Sequence, residues 1–306
     1  MILVTGGTGF IGRALVRQLV ESGYRVRTLL RPSPRTPRLP IGVPVEIAVS
    51  SLDDTRGLRS AMRGVDAVYH LIGDEGRGWR ADLRRVDVQG TKNLADAAAD
   101  AGIRRFFYVS HLGADRASAF PVMKAKGIAE EHIRQSGVPY TILRASLIFG
   151  PEDNFTTNLA RLIRVTPFVL PLPNHGKALL QPLWVEDLVA CLLWSLEDPA
   201  TANQVYEIGG GEFFSLRQIV EIILEKMGKK RILVSVPMPW MRAATVVLEH
   251  LLPRYPLSTF WLDYLAVDRV CEVSTLPQVF NLMPSRFSQR IDYLAQKSWI
   301  ARLFSR

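Results

Sequence analysis

Cysteine is almost absent from this chain: Cys191 and Cys271 are the only two among 306 residues. Two thiols so far apart exclude a disulfide framework and a thiolate metal cluster. No metal site is therefore expected, and the cytoplasm, a reducing compartment, is the default. Long apolar runs are missing as well. No uncharged stretch reaches the ~18 residues of a spanning helix. The first apolar run starts at Ile2, which leaves no room for a cleavable leader. The expectation is a cytoplasmic protein, at most peripheral to a membrane. Acidic residues are in deficit, 29 against 38 Lys and Arg, for a net charge of +9. The excess is scattered over Arg31, Arg35 and Arg38, over Arg77, Arg80, Arg84 and Arg85, and over Lys229, Lys230 and Arg231. That pattern describes a solvated basic surface, with anionic lipid or an acidic partner as the sharper alternative. No helix-turn-helix, zinc or aromatic-platform motif accompanies it, so nucleic acid is not an expected partner.

What is present begins at once. The apolar run Ile2-Leu3-Val4 leads into Thr5-Gly6-Gly7-Thr8-Gly9-Phe10-Ile11-Gly12, and an amphipathic stretch follows from Arg13 to Ser22. A strand, a glycine turn and a helix in that order form a cradle for a dinucleotide. The amides and the positive dipole end at the helix start suit a pyrophosphate. Gly6 can take the positive φ of a tight turn. Gly9 lets the backbone approach a phosphate, and Gly12 lets the helix lie close to the sheet. Thr8, Phe10 and Ile11 complete the binding turn.

Strand and helix then alternate. Residues 24–30, 45–49, 67–72, 105–109 and 140–143 read as strands, and 58–62, 86–101 and 123–135 as helices. Residues 31–44 carry five prolines and form a loop. This alternation predicts an α/β fold, a Rossmann-type doubly wound parallel sheet with helices on both faces. The pattern changes after Phe149-Gly150-Pro151. Residues 183–196 read as a strand end and a helix that rejoins the first domain. Residues 205–208 and 216–227 form a separate small α/β unit, and 240–252 and 291–304 are amphipathic. The expected division is a dinucleotide-binding domain of residues 1–150 plus about 178–200, and a smaller α/β substrate or partner domain of 151–177 and 201–306.

These motifs resemble the short-chain dehydrogenase/reductase superfamily in its extended and atypical branches, over about residues 1–230. The resemblance rests on the glycine turn, on Val65-Asp66-Ala67-Val68-Tyr69-His70-Leu71, and on Asp87-Val88-Gln89-Gly90-Thr91-Lys92-Asn93-Leu94. It rests further on Phe107-Tyr108-Val109-Ser110 and on Leu143-Arg144 followed by Phe149-Gly150-Pro151. The set is similar to epimerase/dehydratase-like proteins and to the NADPH-binding accessory subunit of respiratory complex I. In such proteins an acid ending the second strand binds the ribose of NAD. Here that end reads Leu29-Leu30-Arg31-Pro32, and Arg31 suits a 2′-phosphate, so the resemblance implies NADP(H) ahead of NAD(H). Relatives carry Gly-Asp-Leu after the third strand, where this chain has Ser50-Ser51-Leu52. Adenine binding then falls to Ser51, to the backbone near Leu52 and to the loop Leu71-Ile72-Gly73.

The superfamily's chemistry uses a Tyr-x-x-x-Lys pair on one helix face. The matching segment here is Phe120-Pro121-Val122-Met123-Lys124. Lys124 stands as the ribose anchor, but Phe120 cannot transfer a proton. Ser110 occupies the place of the substrate-orienting hydroxyl. His111 follows it, either as a substitute acid/base or as a histidine satisfied by backbone groups. His70, on an apolar strand, reads as a core histidine. Two functions follow. One is an NADP(H)-dependent reductase, dehydrogenase or epimerase acting on an unidentified carbonyl or sugar. The other is a cofactor-bound scaffold with weak or absent turnover, in a protein complex or at a membrane surface. The basic, Trp-containing end from Ser298 to Arg306 reads as a terminal amphipathic helix packed on its own domain, with that surface contact as the alternative.

Overall fold

The computed structural model describes residues 1–34, 36–251 and 256–295. The amphipathic end from Ser298 to Arg306 and Arg35 lie outside the described residues. In chain order the first elements are β1 (Ile2–Thr5), α1 (Phe10–Glu21), β2 (Val26–Leu30), β3 (Glu46–Val49), α2 (Thr55–Ala61) and β4 (Ala67–His70). There follow α3 (Thr91–Asp100), β5 (Arg105–His111), α4 (Pro121–Gln135), β6 (Tyr140–Ala145), β7 (Ile148–Phe149), α5 (Thr156–Val165) and β8 (Val169–Pro173). Then come β9 (Leu179–Leu180), β10 (Leu183–Trp184), α6 (Val185–Glu197), β11 (Gln204–Ile208), β12 (Phe214–Ser215) and α7 (Leu216–Lys226). The last are β13 (Ile232–Val236), α8 (Met238–Leu251), α9 (Thr259–Tyr264), α10 (Thr275–Phe280) and α11 (Phe287–Arg290).

The chain forms two compact units. The first holds Met1–Ala145, Val185–Ile208 and Ser274–Leu282. Its sheet is parallel throughout, in the order β11-β6-β5-β4-β1-β2-β3. All four residues of β1 are buried, the mark of a strand covered on both faces. The order reverses at β1, with β2 on one side and β4 on the other, and Thr5 is level with Leu29 and His70. In open α/β sheets such a reversal opens the ligand crevice at the carboxyl ends of the strands. Helix α1 buries Gly12, Leu15, Val16 and Leu19, one face at helical spacing. The second unit holds the described parts of Ser146–Trp184, Gly209–Val273 and Met283–Arg306. It pairs β7 with β10 and β8 with β13 in parallel, and β9 with β12 antiparallel. Among the described residues no helix is long and apolar enough to cross a membrane, and no group of His, Cys, Asp and Glu is placed to hold a metal.

Three expectations need correction. Residues 205–208 do not belong to the smaller unit. They lie in β11, which pairs with β6 through Val205 opposite Ile142, as the edge strand of the main sheet. Tyr206 packs on Phe280 of α10, which brings Ser274–Leu282 into the same unit. The first boundary falls after Ala145, not at Gly150. The Leu183 amide donates to the Leu147 carbonyl at 2.8 Å and β7 pairs with β10, so Ser146–Phe149 sits with the second unit. The helix expected over 86–101 is divided: a π-helical turn spans Arg84–Gly90 and α3 starts at Thr91. A Cβ on Gly90 would lie 2.7 Å from the Leu52 side chain, so this turn is packed directly on the loop after β3. π turns of this kind recur at functional sites.

Candidate functional site

The glycine turn is built as its spacing implies. Gly6 leaves β1 at φ +79°, and a Cβ there would lie 3.0 Å from the Leu71 backbone. Gly12 sits on the first turn of α1. A Cβ there would come within 2.1 Å of the Gly6 carbonyl oxygen and 2.7 Å of the Gly7 Cα. Gly9 caps the helix, is exposed, and has no side chain to bond the first-turn amides. No acid stands in that first turn. The Arg13 guanidinium donates to the Thr8 carbonyl at 2.8 Å and adds positive charge beside the turn. Phe10 and Ile11 are half-buried next to the exposed cap. An exposed, uncapped N-terminus on a twelve-residue helix suits an anionic group.

The neighbouring strand ends carry the other expected contacts. Arg31 directly follows β2 and is exposed. The Ser51 hydroxyl accepts from the Asp53 amide at 3.3 Å, and the Asp53 carboxylate pairs with Arg85 at 2.7 Å. The Leu52 carbonyl accepts from Asn93 Nδ2 at 2.9 Å, which ties this loop to α3. The Leu71 amide donates to the Thr5 carbonyl at 3.1 Å, so the loop Leu71-Ile72-Gly73 continues from β4 alongside the turn. At its end a Cβ on Gly73 would lie 2.2 Å from Glu75 Oε2 and 2.8 Å from Lys126 Nζ. The loop therefore runs into a cluster of charged groups.

That cluster holds Lys126, Asp87, Glu75 and His111. Lys126 Nζ lies 2.9 Å from Asp87 Oδ1 and 3.7 Å from Glu75 Oε2. His111 Nε2 lies 3.5 Å from Glu75 Oε1. The ammonium also stands 5.6 Å from the centre of the Tyr108 ring. Burial disfavours the Lys126 ammonium, but Asp87 and Glu75 outweigh it and hold its pKa well above the usual lysine value. Burial would raise Glu75, yet Lys126 and His111 pull it below the usual carboxylate range. Asp87 goes the other way: burial lifts it, against Lys126. Two carboxylates thus share one buried cation.

Lys124 is not in the cluster. It is exposed, whereas Lys126 is 3% exposed. Phe120 is the cap before Pro121 rather than a residue of α4, and its carbonyl accepts from the Lys124 amide at 2.9 Å. Four residues before Lys126 stands Val122, buried and aliphatic. Ser110 and His111 close β5 but part company. The Ser110 hydroxyl donates to the buried Glu130 at 2.7 Å, and Glu130 also receives Arg144 and Arg134. Ser110 is thereby engaged in an ionic network, while His111 faces Glu75.

His70 is fully buried. Its Nδ1 lies 2.7 Å from Thr5 Oγ1 and its Nε2 2.9 Å from Thr91 Oγ1. Burial, and then the Lys126 charge, push its pKa from 6.5 down to about 3. It is a neutral core histidine. With a depressed folded value, the unfolded chain takes up a proton first. The stability from this group is therefore present above pH 6.5 and lost as pH falls toward 3. Between pH 6.5 and 5 the wild type is expected to lose about 1.5 kcal/mol more than His70→Gln, read by urea denaturation. The buried Asp153 of the second unit, raised to about 6 by burial, works in the opposite sense in that window. The comparison of variant with wild type isolates the His70 part, and parallel profiles would refute it.

The model of the NmrA-like family matches residues 1–252. The chain belongs to that family. It is thereby an atypical, epimerase-like member of the short-chain dehydrogenase/reductase superfamily. It is 28% identical over 286 residues to NADH dehydrogenase [ubiquinone] 1 alpha subcomplex subunit 9 of Arabidopsis thaliana, covering 91% of this chain and 67% of that one. It is 34% identical over 242 residues to a putative dihydroflavonol 4-reductase of Synechocystis, covering 71% and 69%. Among solved structures, a short-chain dehydrogenase/reductase superfamily protein of Agrobacterium tumefaciens, with bound NAD, superposes with a TM-score of 0.74 over all of both chains at 22% identity. That likeness is one of fold.

Three members of this NmrA-like chain's cluster were not singled out from sequence: Lys126, Glu75 and Asp87. A signal for the first existed. Val122, Met123, Lys126, Ala129, Glu130 and Ile133 form the buried stripe of α4 at helical spacing, and Lys124 falls off it. Glu75 lies in a short 3-10 turn with no periodicity to mark it.

Proposed function

We propose that this NmrA-like chain is an NADP(H)-binding, oxidoreductase-like protein with weak or absent turnover. The observation that carries the reading is the exposed, uncapped helix start at Gly9, with Arg31 in place of an acid at the end of β2. The glycine turn leaves room for a pyrophosphate where a side chain would fill it, and Arg31 offers a fork of donors to a 2′-phosphate. Bound NADP(H) would supply hydride exchange at its nicotinamide. The proposal gives the role of ribose anchor to Lys126 rather than Lys124, because only Lys126 borders the loop at Gly73. The phenol is missing in either register: Phe120 stands four residues before Lys124, and Val122 four before Lys126. Arg31→Ala is expected to raise the NADPH dissociation constant about tenfold and leave NADH little changed, by calorimetric titration. Equal loss for both nucleotides would overturn the 2′-phosphate assignment and favour NAD(H).

A second reading, an active NAD(P)-dependent reductase or epimerase, is favoured by the His111–Glu75 contact at 3.5 Å. An imidazole oriented by a carboxylate can move a proton in place of the phenol. A third, a cofactor-stabilised subunit of a membrane-associated complex, is favoured by likeness to the NADH dehydrogenase subunit. NADPH would there act by binding linkage alone. One experiment separates the second reading from the other two: NADPH oxidation against a panel of aldehydes, ketones and nucleotide sugars, beside thermal shift with NADPH. Stabilisation without oxidation supports the weak-turnover reading. Turnover of about 1 per second or more would sink it in favour of the second.

A further inference from the structure

We propose that the ribbon of β8 and β13 in the second unit docks on an anionic phospholipid surface. The two strands pair in parallel, with Val169 opposite Ile232. Opposed residues of a ladder point to the same side. That side is exposed and apolar: Ile232 is 67% exposed, and Val169 and Val234 accompany it. Phe168, 76% exposed, and Val165 stand at the same end of the ribbon. The place of the basic residues there is set by hydrogen bonds. The Ile232 amide donates to the Phe168 carbonyl at 2.9 Å. Arg231 donates to the carbonyls of Thr166 and Ile163, closing the end of α5. Lys229 and Lys230, both exposed, are thereby held beside Val165 and Phe168, and neither forms an ion pair among the described residues.

Charge selects the partner. No Asp or Glu occurs between Asp153 and Glu186, nor between Glu225 and Glu249. Both strands and the segment from Lys226 to Arg242 therefore contain no acid; of its cations Lys226 pairs with Asp292, Arg242 pairs with Asp263 and Arg231 closes α5, which leaves Lys229 and Lys230 to the surface. Exposed apolar side chains cost solubility in a surface left in water. Flanked by Lys229 and Lys230, with no acid in either strand, they match the layered polarity of a bilayer interface, headgroup above and acyl chain below. The inference does not depend on cofactor binding or turnover.

The test is co-sedimentation of the full chain with phosphatidylcholine vesicles, with and without phosphatidylglycerol. Binding is expected only with the anionic lipid, and is expected to weaken with added salt. Lys229→Gln with Lys230→Gln should lower partition about 25-fold, at about fivefold per lysine near an anionic surface. Phe168→Glu with Ile232→Glu should lower it at least about tenfold at any salt. Both pairs lie on the surface, and an unchanged melting temperature would confirm that they fold. Wild-type protein that stays in the supernatant overturns the proposal. So does binding that survives both pairs but is lost in Trp240→Glu or Trp299→Glu, since the contact would then belong to α8 or to the C-terminal end. Concentration-dependent dimerisation that these variants abolish, without vesicle binding, would assign the patch to a second copy instead.

Discussion

Gly12→Ala is expected to destabilise the protein by about 3 kcal/mol and to abolish dinucleotide binding. The direction is the informative part. In an ordinary helix this change stabilises by roughly 0.5–1 kcal/mol, because alanine has less backbone freedom to lose. Here the new methyl would stand 2.1 Å from the Gly6 carbonyl oxygen and 2.7 Å from the Gly7 Cα. Both neighbours are backbone, so no rotamer change relieves the clash. Either α1 moves off the turn or the turn deforms, and each displaces the amides from the Gly9 cap. Gly9→Ala is the control. Its backbone is extended at φ −75°, and its Cβ would meet only the Gly6 carbonyl at 3.2 Å. It should cost no more than about 1 kcal/mol in stability, while its methyl adds bulk at the exposed helix start proposed to hold the pyrophosphate. Urea denaturation and nucleotide titration of the two variants separate fold from binding. A Gly12→Ala protein as stable as wild type would contradict the close approach of α1.

Lys126→Met is expected to cost about 3–5 kcal/mol at neutral pH, the loss typical when one partner of a buried ion pair is removed. The substitution keeps the length of the side chain but leaves Asp87 and Glu75 without their cation. Its pH dependence follows from the shifts. In the wild type Lys126 helps hold Glu75 below its ordinary value of 4.5, so this stabilisation is present above pH 4.5 and is lost as pH falls. Without the lysine the two carboxylates rise together, and protonation relieves them. The stability gap between variant and wild type should therefore be widest at neutral pH and close in acid. Lys124→Met, on the exposed face, should stay within about 0.5 kcal/mol. Denaturant melts of both variants across pH provide the measurement. Equal effects at the two positions would undo the placement of the cluster.

The contrast between these lysines marks how far sequence reasoning reached. The turn from Gly6 to Gly12 was legible because its contacts are local. Gly6, Gly7, Gly9 and Gly12 meet one another through a few bonds of backbone, and spacing alone specifies who meets whom. The strands were legible because β1, β4 and β5 are buried on both faces and appear as continuous apolar runs. Sequence reasoning chose Lys124 as the anchor, two residues before the Lys126 proposed here, because the superfamily pattern aligns on a tyrosine and this chain has none in the segment. Phe120 is a reasonable substitute by type, yet it lies outside the helix as its cap. The buried stripe of α4 marks Lys126 instead, since a lysine on an apolar face must have a partner within the fold.

By itself, the order of residues determined the doubly wound sheet, the glycine cradle and the absence of an acid after β2. All of these follow from short-range periodicity and backbone geometry. Only the tertiary structure decided that Lys126, Asp87, Glu75 and His111 meet, since they come from α4, a π turn, a 3-10 turn and the end of β5. It alone placed β11 in the main sheet, through pairing with a strand some sixty residues earlier. It also left the side chains of Ile232 and Phe168 exposed. Parallel pairing and charge burial join residues that are distant in the chain, and neither leaves a trace in local spacing.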